Sequence, residues 1–213
     1  MKICGLTSES SIKHAVTAGA DYIGFVFFRK SPRYLTFNQA ADLAKFIPEN
    51  VMTVALVVDP TNDLLANIMR HVRIDMIQLQ GKESPQRVSE VKELTGLPVM
   101  KAVGVSEPQD LSIIDTYASV ADQLLIDAKP PKGSILPGGN GLAFDWKLIS
   151  GKHWKVPWML AGGLNAENVT EAIQTTGTAQ IDVSSGVEKA PGNKDPDKVT
   201  RFIQNAKRGP LSA

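Results

Sequence analysis

Cysteine is almost missing from this chain: Cys4 is the single one among 213 residues. One thiol cannot close an intrachain disulfide, so no disulfide framework supports the fold and a reducing, cytoplasmic setting is expected. Long apolar runs are missing too. No stretch approaches the roughly 18 residues of a membrane span, and the first residues lack the basic region and apolar core of a secretory signal. Neither sign of charge is in excess, with 23 Lys and Arg against 22 Asp and Glu, so no contact with nucleic acid or membrane is expected. Histidine is scarce, and His14, His71 and His153 show no metal-ligand spacing. The Gly-x-Gly-x-x-Gly turn of dinucleotide-binding folds does not follow the first apolar run.

What the chain has is alternation. Short apolar or β-branched runs recur as KICGL, DYIGFVF, MTVALVV, DMIQLQ, PVMKAVGV, DQLLIDA, PWMLAGG and QIDVSSG. Continuous runs of this length are the pattern of parallel strands buried on both faces. Segments between them carry helical stripes, such as Leu64, Leu65, Ile68, Met69 and Val72, or Val199, Phe202, Ile203 and Ala206. Ser84-Pro85 and Asp195-Pro196 put a capping residue before a proline at a helix start, and Gly96 and Gly177 fall at helix ends. Eight such units fit either an open doubly wound sheet or a closed (β/α)8 barrel. The strand number, and the absence of the dinucleotide turn, favour one (β/α)8 barrel over residues 1–213, without a second domain.

In such a barrel the chemistry gathers at the C-terminal ends of the strands. Cys4 then ends the first strand, Arg29 and Arg33 follow the second, Asp59 the third, Gln80 the fourth and Asp127 the sixth. Gly162 and Gly163 end the seventh; Asp182, Ser184, Ser185 and Gly186 end the eighth. Glycine-rich loops after the last two strands are suited to an anion, because backbone N–H groups can approach it closely. A further glycine-rich stretch, Pro137 to Gly141, reads equally as a flap over a ligand or as a disordered surface turn, with Asn140 and Gly141 in it. Cys4 is either a buried apolar residue or a reactive thiol. As a thiol it would pair with Asp127, whose apolar LLIDA setting should raise its pKa and suit it to donate a proton. Lys2 and Lys129 are the candidates to lower the pKa of Cys4, and Asn165 the candidate to cap the helix after Gly163. The basic loop FFRKSPRYLT is either a solvated surface loop or a site for an anionic group such as a carboxylate.

KICGLT, GFVFFRKSPRYLT, QLQG, KAVGV, LLID, GNGLAFDW, AGGLNAENV and IDVSSGVE, taken in order, resemble phosphoribosylanthranilate isomerase over nearly the whole chain. The resemblance implies an Amadori rearrangement in tryptophan biosynthesis on a phosphate-binding barrel, with no metal and no organic cofactor. It implies Cys4 as general base, Asp127 as general acid and Arg33 as the contact to the anthranilate carboxylate. It also implies a phosphate on Gly162, Gly163, Ser184, Ser185 and Gly186, with Asp182 near the sugar hydroxyls. Two positions depart from the family pattern: QLQG stands where many members have QLHG, and GGNG where GGTG or GGSG is common. Gln80 is therefore expected to hydrogen-bond to substrate without transferring protons. Another sugar-phosphate isomerase on the same barrel, such as the histidine-pathway enzyme, and a catalytically silent phosphate-binding barrel are the alternatives. Monomer and homodimer are both left open.

Overall fold

The computed structural model describes residues 1–130, 133–134, 136–139 and 141–209; Asn140 of the glycine-rich stretch lies outside them. Eight short strands form where the apolar runs predict them: β1 (Lys2–Cys4), β2 (Tyr22–Val26), β3 (Met52–Val57), β4 (Met76–Leu79), β5 (Val99–Val105), β6 (Gln123–Ala128), β7 (Trp158–Leu160) and β8 (Asp182–Val183). From β1 to β7 each pairs in parallel with the next, and β1 also pairs with β8, placing Lys2 opposite Asp182. The last seam closes where Leu160 meets Ile181 and the Leu160 N–H donates to the Gln180 carbonyl at 2.9 Å. The sheet is a closed parallel barrel, as the repeat count predicts.

Helices α1 (Glu9–Ala18), α2 (Phe37–Ala44), α3 (Asn62–His71), α4 (Pro85–Thr95), α5 (Ile114–Ala118), α6 (Val169–Thr176) and α7 (Pro196–Lys207) surround it. Their ends obey local chemistry. Ser84 and Asp195 accept N–H bonds from the first turns of α4 and α7, each ahead of its proline, while Gly96 and Gly177 close α4 and α6 with φ of 65° and 68°. The α7 stripe of Val199, Phe202, Ile203 and Ala206 is buried against the barrel wall.

The chain departs from a plain strand–helix repeat at three places. Among the described residues β6 is not followed by an α-helix; the chain runs through the Pro- and Gly-rich loop and makes only a 3-10 turn, Trp146–Ile149. Proline and glycine both disfavour helix there. The tryptophans near that turn pack, Trp154 edge-on to Trp158 at 5.1 Å. Asn165 does not cap α6: its Oδ1 accepts from the N–H groups of Glu167 and Asn168, and the helix starts one turn later with Asn168 at its cap. Finally, β8 leads into a 3-10 turn, Ser185–Val187, and a small antiparallel hairpin, β9 (Glu188–Ala190) with β10 (Asn193–Lys194).

Strand alternation sorts the wall into two faces. Ile3, Ile77, Leu79, Leu124, Ile126 and Val183 pack outward in the main core beneath the helices, while Val54, Met76, Met100, Ala102, Leu125 and Met159 form a separate apolar layer inside the barrel. Cys4, Gln78, Gln80, Asp127 and Asp182 share the inward parity, and the same alternation puts Lys101 on the outer face of β5.

Candidate active site

Two adjoining hollows open at the C-terminal ends of the strands and share Asp127, Gly138, Gly139, Asp182 and Ser184. The central one is walled by Cys4, Val26, Arg33, Leu56, Gln78 and Gln80 as well. The structure thus brings Cys4 and Asp127, 123 residues apart in the sequence, to one cavity.

Cys4 is buried at the end of β1. Room for its sulfur comes from Gly24 on the neighbouring strand, where a Cβ would stand 2.8 Å from Sγ. Lys2 lies one layer below, wholly buried, with Nζ 2.9 Å from Asp182 Oδ1. The sequence expectation of a lowered thiol pKa is overturned. Burial pushes the Cys4 thiol up and the Asp182 charge adds to it, against the downward pull of Lys2 and Lys194. Lys129 contributes nothing to this balance: it is an exposed side chain that pairs with Asp110 on the rim.

Asp127 behaves as the sequence predicts. Burial, and next the charge of Asp182, lift its carboxyl to about 7, while the Ala128 N–H, the Gln80 amide and Lys2 restrain the rise. Its Oδ1 accepts from the Ala128 N–H at 2.8 Å and its Oδ2 from Gln80 Nε2 at 3.0 Å. Gln80 Oε1 in turn accepts from Gln78 Nε2 at 2.6 Å. The backbone at Gln80 is anchored from behind, where Lys101 Nζ donates to the carbonyls of Leu79 (3.3 Å) and Gly81 (2.8 Å) and to Glu83 Oε2 (2.8 Å). Gly138 of the flap sits directly over this pair, so close that a Cβ there would lie 2.7 Å from Gln80 Nε2.

Arg33 reaches the cavity wall, but its fork is already gripped. Nε and Nη2 donate to the two oxygens of Glu188, each at 2.8 Å, which leaves Nη1 facing Gly139. Glu188 also takes Lys194 Nζ at 2.7 Å; burial opposes its ionisation, but the two cations hold its carboxyl below the usual range. Lys194 donates further to the Ser184 carbonyl at 3.0 Å, and Ser184 Oγ to the Cys4 carbonyl at 3.1 Å. Glu188 and Lys194 line neither hollow but hold Arg33 and Ser184, a support that the reading by strand ends misses; the Pro191-Gly192 turn between two short polar segments was the local signal for their hairpin. Arg29, from the same basic loop, lies outside the cavity with its guanidinium 5.9 Å from the Tyr34 ring.

The second hollow is a backbone cradle. Gly162 and Gly163 take φ of 85° and 64°, a region that excludes most side chains, and a Cβ on Gly186 would fall 1.9 Å from the Leu164 carbonyl oxygen. Gly141 borders it as well. Ser185 and Gly186 open a 3-10 turn, so their N–H groups have no partner within it. These are the ingredients of an anion site at the β7 and β8 loops. Among the described residues no cluster of three His, Cys, Asp or Glu side chains is arranged to hold a metal, and no helix is long and apolar enough to cross a membrane.

A closed parallel barrel with ionisable side chains beside an anion-ready cradle at its C-terminal mouth defines a phosphate-binding (β/α)8 barrel of the metabolic-enzyme class. Similarity to known proteins makes this specific. Residues 1–205 match the family model for N-(5'-phosphoribosyl)anthranilate (PRA) isomerase. The N-(5'-phosphoribosyl)anthranilate isomerase of Cereibacter sphaeroides is 58% identical, with 97% of this chain and 98% of that one aligned. The crystal structure of the Thermotoga maritima enzyme superposes with a TM-score of 0.88 at 35% identity, over 97% of this chain and 98% of the other. A further structure of such an isomerase, in complex with reduced 1-(o-carboxyphenylamino)-1-deoxyribulose 5-phosphate, gives 0.82 at 33% identity over 97% of each chain. The chain belongs to the phosphoribosylanthranilate isomerase family.

Proposed function

We propose that this chain isomerises N-(5'-phosphoribosyl)anthranilate to 1-(2-carboxyphenylamino)-1-deoxyribulose 5-phosphate in tryptophan biosynthesis, with Asp127 as the acid and Cys4 as the base. The observation that carries the assignment is that these two groups, one from β6 and one from β1, open into the same cavity beside the glycine cradle. The phosphate rests on Gly162, Gly163, Ser184, Ser185 and Gly186, with Gly141 at the edge. Asp127 gives its proton to the ribose ring oxygen as the C1'–O bond breaks, which leaves a Schiff base at C1'. The Cys4 thiolate then takes the C2' proton, and the electron pair of that C–H bond moves to form an enolamine. Protonation at C1' and loss of the 2'-hydroxyl proton complete the ketone.

Asp182, fixed by Lys2, faces the sugar hydroxyls, and Gln80 hydrogen-bonds without exchanging protons. Arg33 offers Nη1 to the anthranilate carboxylate while Glu188 holds the rest of the fork in place. A base that must remain a free thiol fits a reducing compartment such as the cytoplasm. For assembly, a Thermotoga maritima relative is described as dimeric; we take a homodimer as the form to test here by sedimentation.

The direct test follows anthranilate fluorescence when the protein meets freshly generated phosphoribosylanthranilate. Rapid decay is expected from the parent, with Cys4→Ser and Asp127→Asn each lowering kcat about 10²- to 10⁴-fold, the usual weight of a positioned acid or base. A folded parent without activity, or variants as fast as the parent, would overturn the assignment.

A further inference from the structure

Gln78 is a glutamine inside a barrel wall, one of the most enclosed polar side chains in the molecule at 1% exposure. Its Oε1 is buried and has no hydrogen-bond partner among the described residues. An orphaned buried carbonyl costs stability that an apolar side chain of the same length would not. Its other end is committed, with Nε2 donating to Gln80 Oε1 at 2.6 Å.

We propose that Gln78 is a positioning residue, whose amide locks the Gln80 amide into the one orientation that donates to Asp127. The inference rests on Asp127 being the acid of the reaction. A primary amide has one donor end and one acceptor end. With Gln78 Nε2 at its oxygen, Gln80 can present only Nε2 to Asp127 Oδ2, at 3.0 Å. Turning the Gln80 amide over would set two N–H ends against each other across the 2.6 Å contact. Turning Gln78 over alone would set two carbonyl oxygens there, and turning both amides together would set the Gln80 oxygen against Asp127 and leave the Gln78 Nε2 donors buried in the place of its unpaired oxygen. The Lys101 grip on the Leu79 and Gly81 carbonyls holds the main chain on either side of Gln80, so backbone and amide are both immobilised.

The charged and titratable groups around Asp127 are Asp182 on β8, Lys2 and Cys4 on β1, and Arg33 across the mouth from the β2 loop. From β4 only the Gln80 amide reaches it, and Lys129, next in its own chain but one, is paired away on Asp110. A donor from Gln80 favours the carboxylate and works against burial and Asp182. Without Gln78 the Gln80 amide is free to turn its carbonyl toward Asp127, which only the protonated carboxyl can satisfy. Loss of Gln78 therefore moves the Asp127 titration upward.

The experiment compares Gln78→Met, Gln80→Met and the double variant with the parent. The ¹³Cγ shift of Asp127, assigned with Asp127→Asn, gives its titration directly, and the acid limb of kcat/KM is measured in parallel. Each single variant is expected to raise the midpoint by about one pH unit, the weight of one hydrogen bond to a charged group. The double variant should move no further than Gln80→Met alone. Gln78→Asn, one methylene too short to reach Gln80, serves if the methionine does not fold. An unmoved titration in the Gln78 variant while Gln80→Met shifts, or single effects that add in the double variant, would overturn the relay. If Asp127→Asn retained turnover, the acid assignment would fall, and the NMR titration would still decide whether Gln78 orients Gln80.

Discussion

Burial moves Cys4 and Asp127 in the same direction, upward. The thiol is pushed above its usual range and the carboxyl up to about 7. In the reaction proposed above the productive form keeps a proton on Asp127 and none on Cys4, so the pair carries one proton in all. Between pH 7 and the thiol's raised value that proton sits on sulfur in most molecules, and the productive arrangement is its tautomer. The activity should follow the population of the one-proton pair. Accordingly, kcat/KM is expected to rise with pH through about 7, level off, and fall again as Cys4 ionises; a profile from pH 5 to 10 that falls through 7 would contradict it. Arg33 makes a separate case. Replacing it with Ala removes a ground-state anchor and strands Glu188 with Lys194 alone. We expect KM to rise at least tenfold with kcat changed by only a few-fold, together with about 2–3 kcal/mol less stability in denaturant unfolding.

At the scale of elements, the loop after β4 is held by a buried ion pair on the outer face of the sheet. Lys101 and Glu83 are 2% and 3% exposed, and Glu83 also accepts from the N–H groups of Asp59 and Gly81. The backbone at Asp59 is left-handed, with φ of 45°, a conformation that costs about 1 kcal/mol or more away from glycine and persists only where surrounding bonds impose it. Glu83→Gln leaves the Lys101 charge buried without its counterion. It should cost about 3–5 kcal/mol, the usual penalty for breaking a buried pair from one side, read as a lower urea midpoint at unchanged slope. The long connection after β6 acts differently. Among its described residues there is no α-helix, and Gly138 lies close against Gln80 and Asp127.

The whole molecule depends on closure between the first strand and the last. Lys2 and Asp182 face each other across that seam, joined at 2.9 Å although 180 residues apart. The same pair sets the field under the site, since Asp182 raises both Asp127 and Cys4 while Lys2 restrains them. Lys2→Met should destabilise the barrel by about 3–5 kcal/mol, because Asp182 is then a buried charge without its partner. Lys2→Met with Asp182→Leu should recover most of that loss in thermal or denaturant unfolding and yet remain poorly active. Equal loss of stability in the single and double variants would show that the seam does not depend on charge pairing.

Local pattern alone determined a great deal of this protein. Strand runs, helix caps at Ser84, Asp195, Gly96 and Gly177, and the residues that end each strand depend on neighbours within a few positions, and alternation then directs Cys4, Gln80, Asp127 and Asp182 into one barrel mouth. Partners distant in the chain belong to the tertiary structure. Arg33 meets Glu188 from 155 residues away, Lys129 turns outward to Asp110, and Cys4 lies so deep that burial outweighs the lysines beside it. Amide orientation is of this second kind as well, because only the juxtaposition of β4 with β6 gives Gln80 an acid to face. The physical reason is the same throughout: φ and ψ preferences and hydrophobic periodicity are written residue by residue, whereas desolvation and charge pairing depend on which surfaces the closed barrel brings together.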